Sequence, residues 1–311
     1  MITDNEADRI ARRRSMSPIL QDDEFQPLSA TVRVEFGAHS DVRPSSAPNE
    51  DHYLLLRLGR SQETLATSLS SVEAPHPFHE SGYVVMVADG IGGTGAGAVA
   101  SRVAISTLVH LAVHYGHWNV RVDPRTAFEI VERLDWSYGE IDHAVRQRGR
   151  TDPLLKSMTT KLTAAYSAGD ELFVAHTGPS RAYVFRDGLL LQLSDDSGQM
   201  PPPAAPLGPR LVTDSRDRLP EVLSDVIGGD GPPRVMVARH KLKDGDILMV
   251  CTDRLTSALS LDRIADVLAE RRRPAEAARR LVDAALEGRS SDNVTAVVGQ
   301  YRIPSPRSRR P

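Results

Sequence analysis

The chain has 311 residues, of which 40% are hydrophobic and 25% are charged, and a chain of this length can bury about three quarters of its unfolded surface. No apolar run approaches the ~18 residues of a membrane helix, and a formal net charge of -3 gives no general attraction to nucleic acid. The single cysteine, Cys251, excludes internal disulfides and cysteine-based zinc cages, and the N-terminal residues lack the apolar stretch of a secretory signal, which predicts a cytoplasmic location.

Both ends of the chain are polar and aperiodic, which predicts flexible tails over 1–30 and 304–311 around one folded domain over 31–303. The second tail is basic. Helical periodicity covers 96–115 and 124–148 and, later in the chain, 261–271 and 274–287. Short β-rich runs bounded by turn residues are predicted as strands over 31–37, 53–58, 83–88, 162–168, 171–177, 182–186, 189–193, 234–242, 247–251 and 294–301.

The order of these elements predicts the fold class. Tight turns at 168–170 and 187–188 indicate antiparallel hairpins, and one pair of helices follows the third strand while another precedes the last. We therefore expect an α+β fold, a four-layer α/β/β/α sandwich of mainly antiparallel sheets flanked by helix pairs. The Ser-, Pro- and Gly-rich stretches 61–81 and 197–231 are interpreted as surface insertions.

The glycines after the third strand resemble a nucleotide-binding fingerprint. Residues 90–95 satisfy G-x-G-x-x-G between a strand and a helix. However, no acidic residue that could hold a ribose occurs between Asp89 and Asp123, and Asp89 itself would repel a pyrophosphate. A nucleotide-dependent oxidoreductase is therefore a minor alternative, which the absence of bound dinucleotide absorbance would remove.

Acidic residues stand at the ends of four predicted strands: Glu50 and Asp51 together at one, and Asp89, Asp253 and Asp292 at the others. A single acid in such a place usually forms a turn or caps a helix. If the fold gathers four strand ends, however, these like charges need a counter-ion. Oxygen ligands without neighbouring histidine or cysteine favour Mg²⁺ or Mn²⁺ over zinc.

With these acids in place, the chain resembles the metal-dependent protein serine/threonine phosphatases of the PPM type, also called PP2C. The match covers about 31–303 and implies a β-sandwich flanked by helix pairs, in agreement with the predicted elements. The matching motifs, in the family's order, are Asn-Glu-Asp at 49–51, Val-Ala-Asp-Gly-Ile-Gly-Gly at 87–93, 174–183, 244–253 and Ser-Asp-Asn-Val-Thr at 291–295.

The resemblance implies two divalent ions, Mg²⁺ or Mn²⁺, and a bridging water that attacks the phosphorus directly. Asp89 would bridge both ions, the Gly90 carbonyl would complete one of them, and Asp253 and Asp292 would hold the other. Asp89 and Asp253 are accordingly the expected catalytic residues. Glu50 and Asp51 would bind through metal-bound waters, so the full set of implied metal-binding residues is Glu50, Asp51, Asp89, Gly90, Asp253 and Asp292.

Several positions depart from the family pattern. Ser46 stands where the family usually has an arginine that clamps the substrate phosphate, and Arg43 and Arg254 are the candidate substrate-binding replacements. Pro179 replaces the aspartate of a third, weaker metal site, which predicts that this site is lost. The family's threonine pair falls in Met-Thr-Thr-Lys at 158–161.

Two functions remain open at this point. The leading one is a cytoplasmic signalling phosphatase for phosphoserine and phosphothreonine, with a phosphoprotein substrate and a cognate Ser/Thr kinase as partners and with neither nucleic acid nor membrane. The alternative is a catalytically weak or inactive pseudophosphatase that binds and regulates a phosphoprotein. The retained carboxylates favour the first, and Ser46 and Pro179 favour the second.

Overall fold

The computed structural model of the protein describes residues 31–41, 48–70, 74, 77–93, 95–115, 122, 124–194, 210–211, 226–287 and 292–304. The predicted tails lie outside these residues except for position 304. The strands are β1 (Arg33–Asp41), β2 (His52–Gln62), β3 (Phe78–Ile91), β4 (Thr159–Ala168), β5 (Glu171–His176), β6 (Arg181–Arg186), β7 (Leu189–Gln192), β8 (Arg210–Leu211), β9 (Met236–Lys241), β10 (Ile247–Cys251) and β11 (Val294–Arg302). The α-helices are α1 (Ala96–Tyr115), α2 (Pro124–Thr151), α3 (Asp253–Ala258), α4 (Leu261–Ala269) and α5 (Pro274–Glu287).

The strands form two antiparallel sheets. A six-stranded sheet has the order β1-β11-β10-β6-β7-β8, and a five-stranded sheet has the order β2-β3-β4-β5-β9. The two predicted hairpins are confirmed. Asp187 and Gly188, with φ of 52° and 83°, connect β6 to β7, and Gly169, with φ of 60°, lies between β4 and β5.

Three apolar clusters confirm the predicted four layers. The cluster between the sheets contains Val87 and Val174 from the five-stranded sheet and Val250 from the six-stranded sheet. A second cluster joins α3, α4 and α5 to the outer face of the six-stranded sheet, and a third joins α1 and α2 to the outer face of the five-stranded sheet. Each sheet is thus covered on both faces, as in an α+β sandwich.

The structure corrects several boundaries of the predicted elements. Strand β3 runs past Asp89 to Ile91, so this aspartate lies within the strand rather than after it. Asp253 begins helix α3, which the sequence pattern did not predict. Strands β2 and β3 extend into the predicted insertion at 61–81, pairing Gln62 with Phe78, and β8 falls within the predicted insertion at 197–231.

Helix α1 is long and apolar enough to cross a membrane by length and composition, which the search for continuous apolar runs did not reveal. In the fold it is a core helix. Its small residues Ala100 and Ala104 are fully buried, and they belong to the cluster that covers the five-stranded sheet. Half of its apolar window is buried inside the protein, and a core helix can have the same length and composition as a membrane helix.

Candidate metal centre

Asp89, Lys161 and Asp253 meet at one end of the sandwich. The antiparallel register of β3 and β4 pairs Asp89 with Lys161, while Asp253 begins α3 just beyond β10 of the opposite sheet. The Lys161 ammonium (Nζ) lies 3.2 Å from Asp89 Oδ2 and 3.0 Å from Asp253 Oδ2. One lysine therefore connects carboxylates that the two sheets supply.

These three side chains are largely removed from water. The Lys161 side chain is 9% exposed, and each aspartate side chain is 15% exposed. Burial raises the pKa of Asp89, Lys161 lowers it and Asp253 raises it, with a result of about 6. Burial lowers the pKa of Lys161, but Asp89 and Asp253 outweigh that effect and raise it. The ammonium therefore carries its charge at neutral pH.

Asp51 supplies a more deeply buried carboxylate, with 5% of the residue exposed. Its Oδ2 accepts a 2.7 Å hydrogen bond from the Thr295 hydroxyl, which also lies 2.7 Å from the Ser40 hydroxyl. The Asn49 side-chain nitrogen donates to the Ser40 hydroxyl, and the Asn49 side-chain oxygen accepts a hydrogen bond from the Asp51 backbone N–H. Asp51 Oδ1, in contrast, is buried without a hydrogen-bond partner among the described residues. Burial and the neighbouring Asp89 raise the pKa of Asp51 well above its usual range.

Glu50 points to the start of helix α1. Its Oε1 accepts hydrogen bonds from the backbone N–H groups of Gly95 at 3.1 Å and Gly97 at 3.2 Å. A carboxylate at this position satisfies free N–H groups and interacts favourably with the helix dipole. Gly90 permits the close approach, because a Cβ there would lie 2.2 Å from the Gly97 carbonyl oxygen. Glu50 thus holds the helix against the end of β3.

Asp292 and Arg254 form the outer part of the cluster. The Arg254 Nε donates to Asp292 Oδ2 at 2.9 Å and lies 4.0 Å from Asp253 Oδ1. The Arg254 and Asp292 side chains are each about half exposed. Asp253 Oδ1 is buried and accepts no hydrogen bond from the described part of the chain.

The remaining predicted positions lie elsewhere. Arg43 and Ser46 fall outside the described residues, so their predicted roles stay predictions. Pro179 lies in the turn between β5 and β6 and has no side-chain oxygen for a metal. The predicted acids Asp51, Asp89, Asp253 and Asp292 do form one cluster, since their charges act on one another or are bridged by the same basic side chains.

Two side chains that contact the clustered acids, Lys161 and Thr295, are not among the predicted site residues. In the sequence they stand only at the ends of two family motifs. The signal for Thr295 is its place three residues after Asp292, in the strand that lies beside β1. The signal for Lys161 is a charged residue within an otherwise apolar and hydroxylic strand, Thr159–Ala168.

The donor set fits a hard divalent cation. The cluster offers only carboxylate and carbonyl oxygens, and two of its buried oxygens, Asp51 Oδ1 and Asp253 Oδ1, are unpartnered within the described ranges. No three acidic, histidine or cysteine side chains in those ranges already surround a common metal position. Lys161 and Arg254 hold three of the acids, so a cation would have to rearrange part of the cluster.

Comparison with known proteins finds a consistent set of relatives. The chain is 31% identical over 224 residues to the serine/threonine protein phosphatase PstP of Mycobacterium tuberculosis, and this match covers 69% of the chain and 40% of the relative. It is 27% identical over 229 residues to the serine/threonine phosphatase Stp of Listeria welshimeri, covering 71% of the chain and 85% of the relative. No family model matches the chain.

Solved structures agree with this result. The catalytic domain of PstP in complex with two manganese ions superimposes with a TM-score of 0.60 and 26% identity, and covers 87% of the chain and 99% of that domain. The chain spans only about 40% of the length of the first curated relatives it matches. The likeness therefore concerns their phosphatase domain and leaves out the rest of those proteins.

Proposed function

Because the chain belongs to the PP2C-type (PPM) family of protein phosphatases, we propose that it hydrolyses phosphoserine and phosphothreonine in proteins with the help of a divalent metal ion. The family membership supports the reaction class. The oxygen cluster at the end of the sandwich supports its location in this chain.

The observation that carries the proposal is the unpartnered oxygen of Asp51. A buried carboxylate oxygen normally has a hydrogen-bond partner, and leaving it without one costs about 1–3 kcal/mol. Asp51 Oδ1 has none among the described residues. The Thr295 and Thr252 side chains lower the pKa of Asp51, but burial and the neighbouring Asp89 outweigh them and disfavour the ionised carboxylate. A bound cation would remove both penalties at once.

Asp51, Asp89 and the Gly90 carbonyl are the proposed ligands nearest the five-stranded sheet, and Asp253 and Asp292 those nearest the six-stranded sheet. These residues would hold a divalent cation, and the chemistry it would supply is an activated water and neutralisation of the phosphoryl oxygens. The choice between Mg²⁺ and Mn²⁺ is not set by this donor chemistry, since both ions accept carboxylate and carbonyl oxygen.

Surrounding residues would orient these ligands. Thr295 donates to Asp51 Oδ2 and thereby fixes the orientation of this carboxylate, whose other oxygen, Oδ1, stays available to a cation. Thr160 donates through its hydroxyl to the Asp89 carbonyl at 2.9 Å, which holds the end of β3. Arg254 is half exposed beside Asp292 and is our candidate for contact with the substrate phosphate, because a guanidinium can form paired hydrogen bonds to phosphate oxygens.

The experiment is hydrolysis of a phosphothreonine peptide and a chromogenic phosphomonoester with added Mn²⁺ or Mg²⁺ and with excess chelator. We expect activity only with metal. Asp89→Asn should lower turnover by roughly two orders of magnitude. The matched control is Asp266→Asn on the exposed side of α4, which should leave turnover unchanged.

Full activity in excess chelator would overturn the metal-dependent mechanism. Metal binding measured by calorimetry without turnover on either substrate would instead favour the pseudophosphatase. Circular dichroism on each variant separates loss of chemistry from loss of fold.

A further inference from the structure

Lys161 occupies a position that a metal ion would also require. A cation that bridges Asp89 and Asp253 must lie between their carboxylates, and the Lys161 ammonium already lies there, 3.2 Å from one and 3.0 Å from the other. Both hydrogen bonds end on the Oδ2 atoms. One oxygen of each carboxylate is therefore already used by the lysine.

The lysine is anchored in place by its strand. β4 is the central strand of the five-stranded sheet. The preceding residue, Thr160, exchanges two backbone hydrogen bonds with Ile227, of 3.0 and 2.8 Å. The Lys161 side chain is 9% exposed, so water offers little competition for its ammonium. In the metal-free protein, withdrawal of the ammonium would remove the cation to which both Asp89 and Asp253 are hydrogen-bonded, and would leave Arg254 at 4.0 Å from Asp253 Oδ1.

Two cations cannot share this position. At a separation of about 3–4 Å in a partly buried site, a divalent ion and an ammonium repel each other by several kcal/mol, even with a high effective dielectric constant. Either the lysine leaves or the second ion does not bind. The anchored strand and the two short contacts favour the lysine.

We propose that the Lys161 ammonium permanently takes the place of one of two divalent ions, so that this chain binds a single Mn²⁺ or Mg²⁺ on the side of Asp51 and Asp89. This inference rests on the proposed function, because it concerns the same centre. Asp51 supports it independently, since its Oδ1 is buried and unpartnered in the described structure and belongs to a carboxylate that Lys161 does not contact.

The test is the stoichiometry of Mn²⁺ bound to the full chain. Equilibrium dialysis with metal analysis gives the number of ions per chain. Electron paramagnetic resonance distinguishes an isolated Mn²⁺ from an exchange-coupled pair. We expect one isolated ion in the wild-type chain and in Lys161→Arg, which retains the charge. Lys161→Ala should bind two ions and show the coupled signal.

Lys156→Ala is the matched control, because Lys156 is exposed in the same segment before β4. It should bind one ion, like the wild type. Two coupled ions in the wild-type chain would overturn the inference, and so would a single ion in a folded Lys161→Ala. The wild-type measurement decides the question even if a variant fails to fold.

The outcomes also separate this inference from the proposed function. Two ions together with metal-dependent hydrolysis would reject only the role of Lys161. No bound ion together with no hydrolysis would reject both. One ion in the wild type and two in Lys161→Ala supports the inference, whatever the rate of hydrolysis.

Discussion

Replacement of Asp89 by asparagine should stabilise the metal-free protein while strongly weakening its stabilisation by metal. The ionised Asp89 is held among other acids, and burial is the largest of the effects that raise its pKa from 3.8 to about 6. Asparagine has nearly the same shape and no charge. In the absence of metal it should therefore remove an unfavourable charge from the folded state.

The magnitude follows from the shift in the pKa of Asp89. A rise of about two units corresponds to roughly 3 kcal/mol by which the ionised form destabilises the metal-free fold. Because the pKa is higher in the folded state, this penalty is complete above pH 6. It fades as the pH falls from 6 to 3.8 and is absent below. The extra stability of Asp89→Asn over the wild type should depend on pH in the same range.

Urea unfolding of both proteins in chelator, at pH 8 and at pH 4, measures this difference. His52 and His240, whose pKa values are lowered mainly by burial, are present in both proteins and cancel. Mn²⁺ at a hundredfold excess over its dissociation constant should then raise the free energy of unfolding of the wild type by about 2.7 kcal/mol, which shifts its urea midpoint upward. The same Mn²⁺ concentration should shift the midpoint of the variant much less. If Asp89→Asn is the less stable protein at pH 8 without metal, the ion pair with Lys161 outweighs burial and the reasoning is wrong.

Three further predictions concern the scaffold. Gly90→Ala should lower the free energy of unfolding by ~3 kcal/mol, because its Cβ would lie 2.2 Å from a backbone carbonyl oxygen of α1. Gly139→Ala has open space around it in α2 and should raise the free energy of unfolding by up to ~1 kcal/mol in the same urea titration. Asp246→Ala should lower the free energy of unfolding by up to ~3 kcal/mol, because the Arg186 guanidinium loses its 2.5 and 2.7 Å contacts with the Asp246 carboxylate. Thermal unfolding measures this loss, and an unchanged melting temperature would contradict it. The Cys251 thiol is fully buried, so thiol reagents should modify it only after unfolding. Rapid alkylation of the native protein with loss of activity would contradict a structural role.

Much of the fold was accessible from the sequence because its signals are local. Turn residues with positive φ, such as Gly169 and Gly188, identify hairpins directly. The helix from Pro274 to Glu287 was predicted with its observed bounds, since proline is favoured in a first helical turn and the apolar period is regular. Helix α3 was missed because six residues are too few to show a helical period.

The position of Lys161 could not be derived from the sequence in the same way. A strand with one solvated face alternates between apolar and polar residues, and the alternation shows which face each residue is on. Strand β4 is covered on both faces, and nearly all of its residues are buried. No alternation remains to orient Lys161. Its proximity to Asp253 also depends on how two separate sheets meet, which is a property of the tertiary fold.

Glu50 shows a related limit. The sequence predicts an acid beside the metals, and the structure places its carboxylate on the backbone N–H groups that begin α1. Both functions need an acidic side chain at the same end of the strand. The metal role of Glu50 stays a prediction, because the choice between capping and coordination depends on where the start of α1, with Gly95 and Gly97, lies relative to the strand.

The charges of the site give a physical reason why one ion can suffice. When ionised, the four clustered acids Asp51, Asp89, Asp253 and Asp292 carry four negative charges, and Lys161 and Arg254 return two positive charges. One divalent ion then leaves no net charge. Two divalent ions would leave the same net charge in a site that had neither basic side chain. Lys161 and Arg254 can therefore provide the positive charge of a second divalent ion, but they cannot activate water as that ion would. The chain should accordingly keep a stable site for a phosphate while depending on one metal for the chemistry.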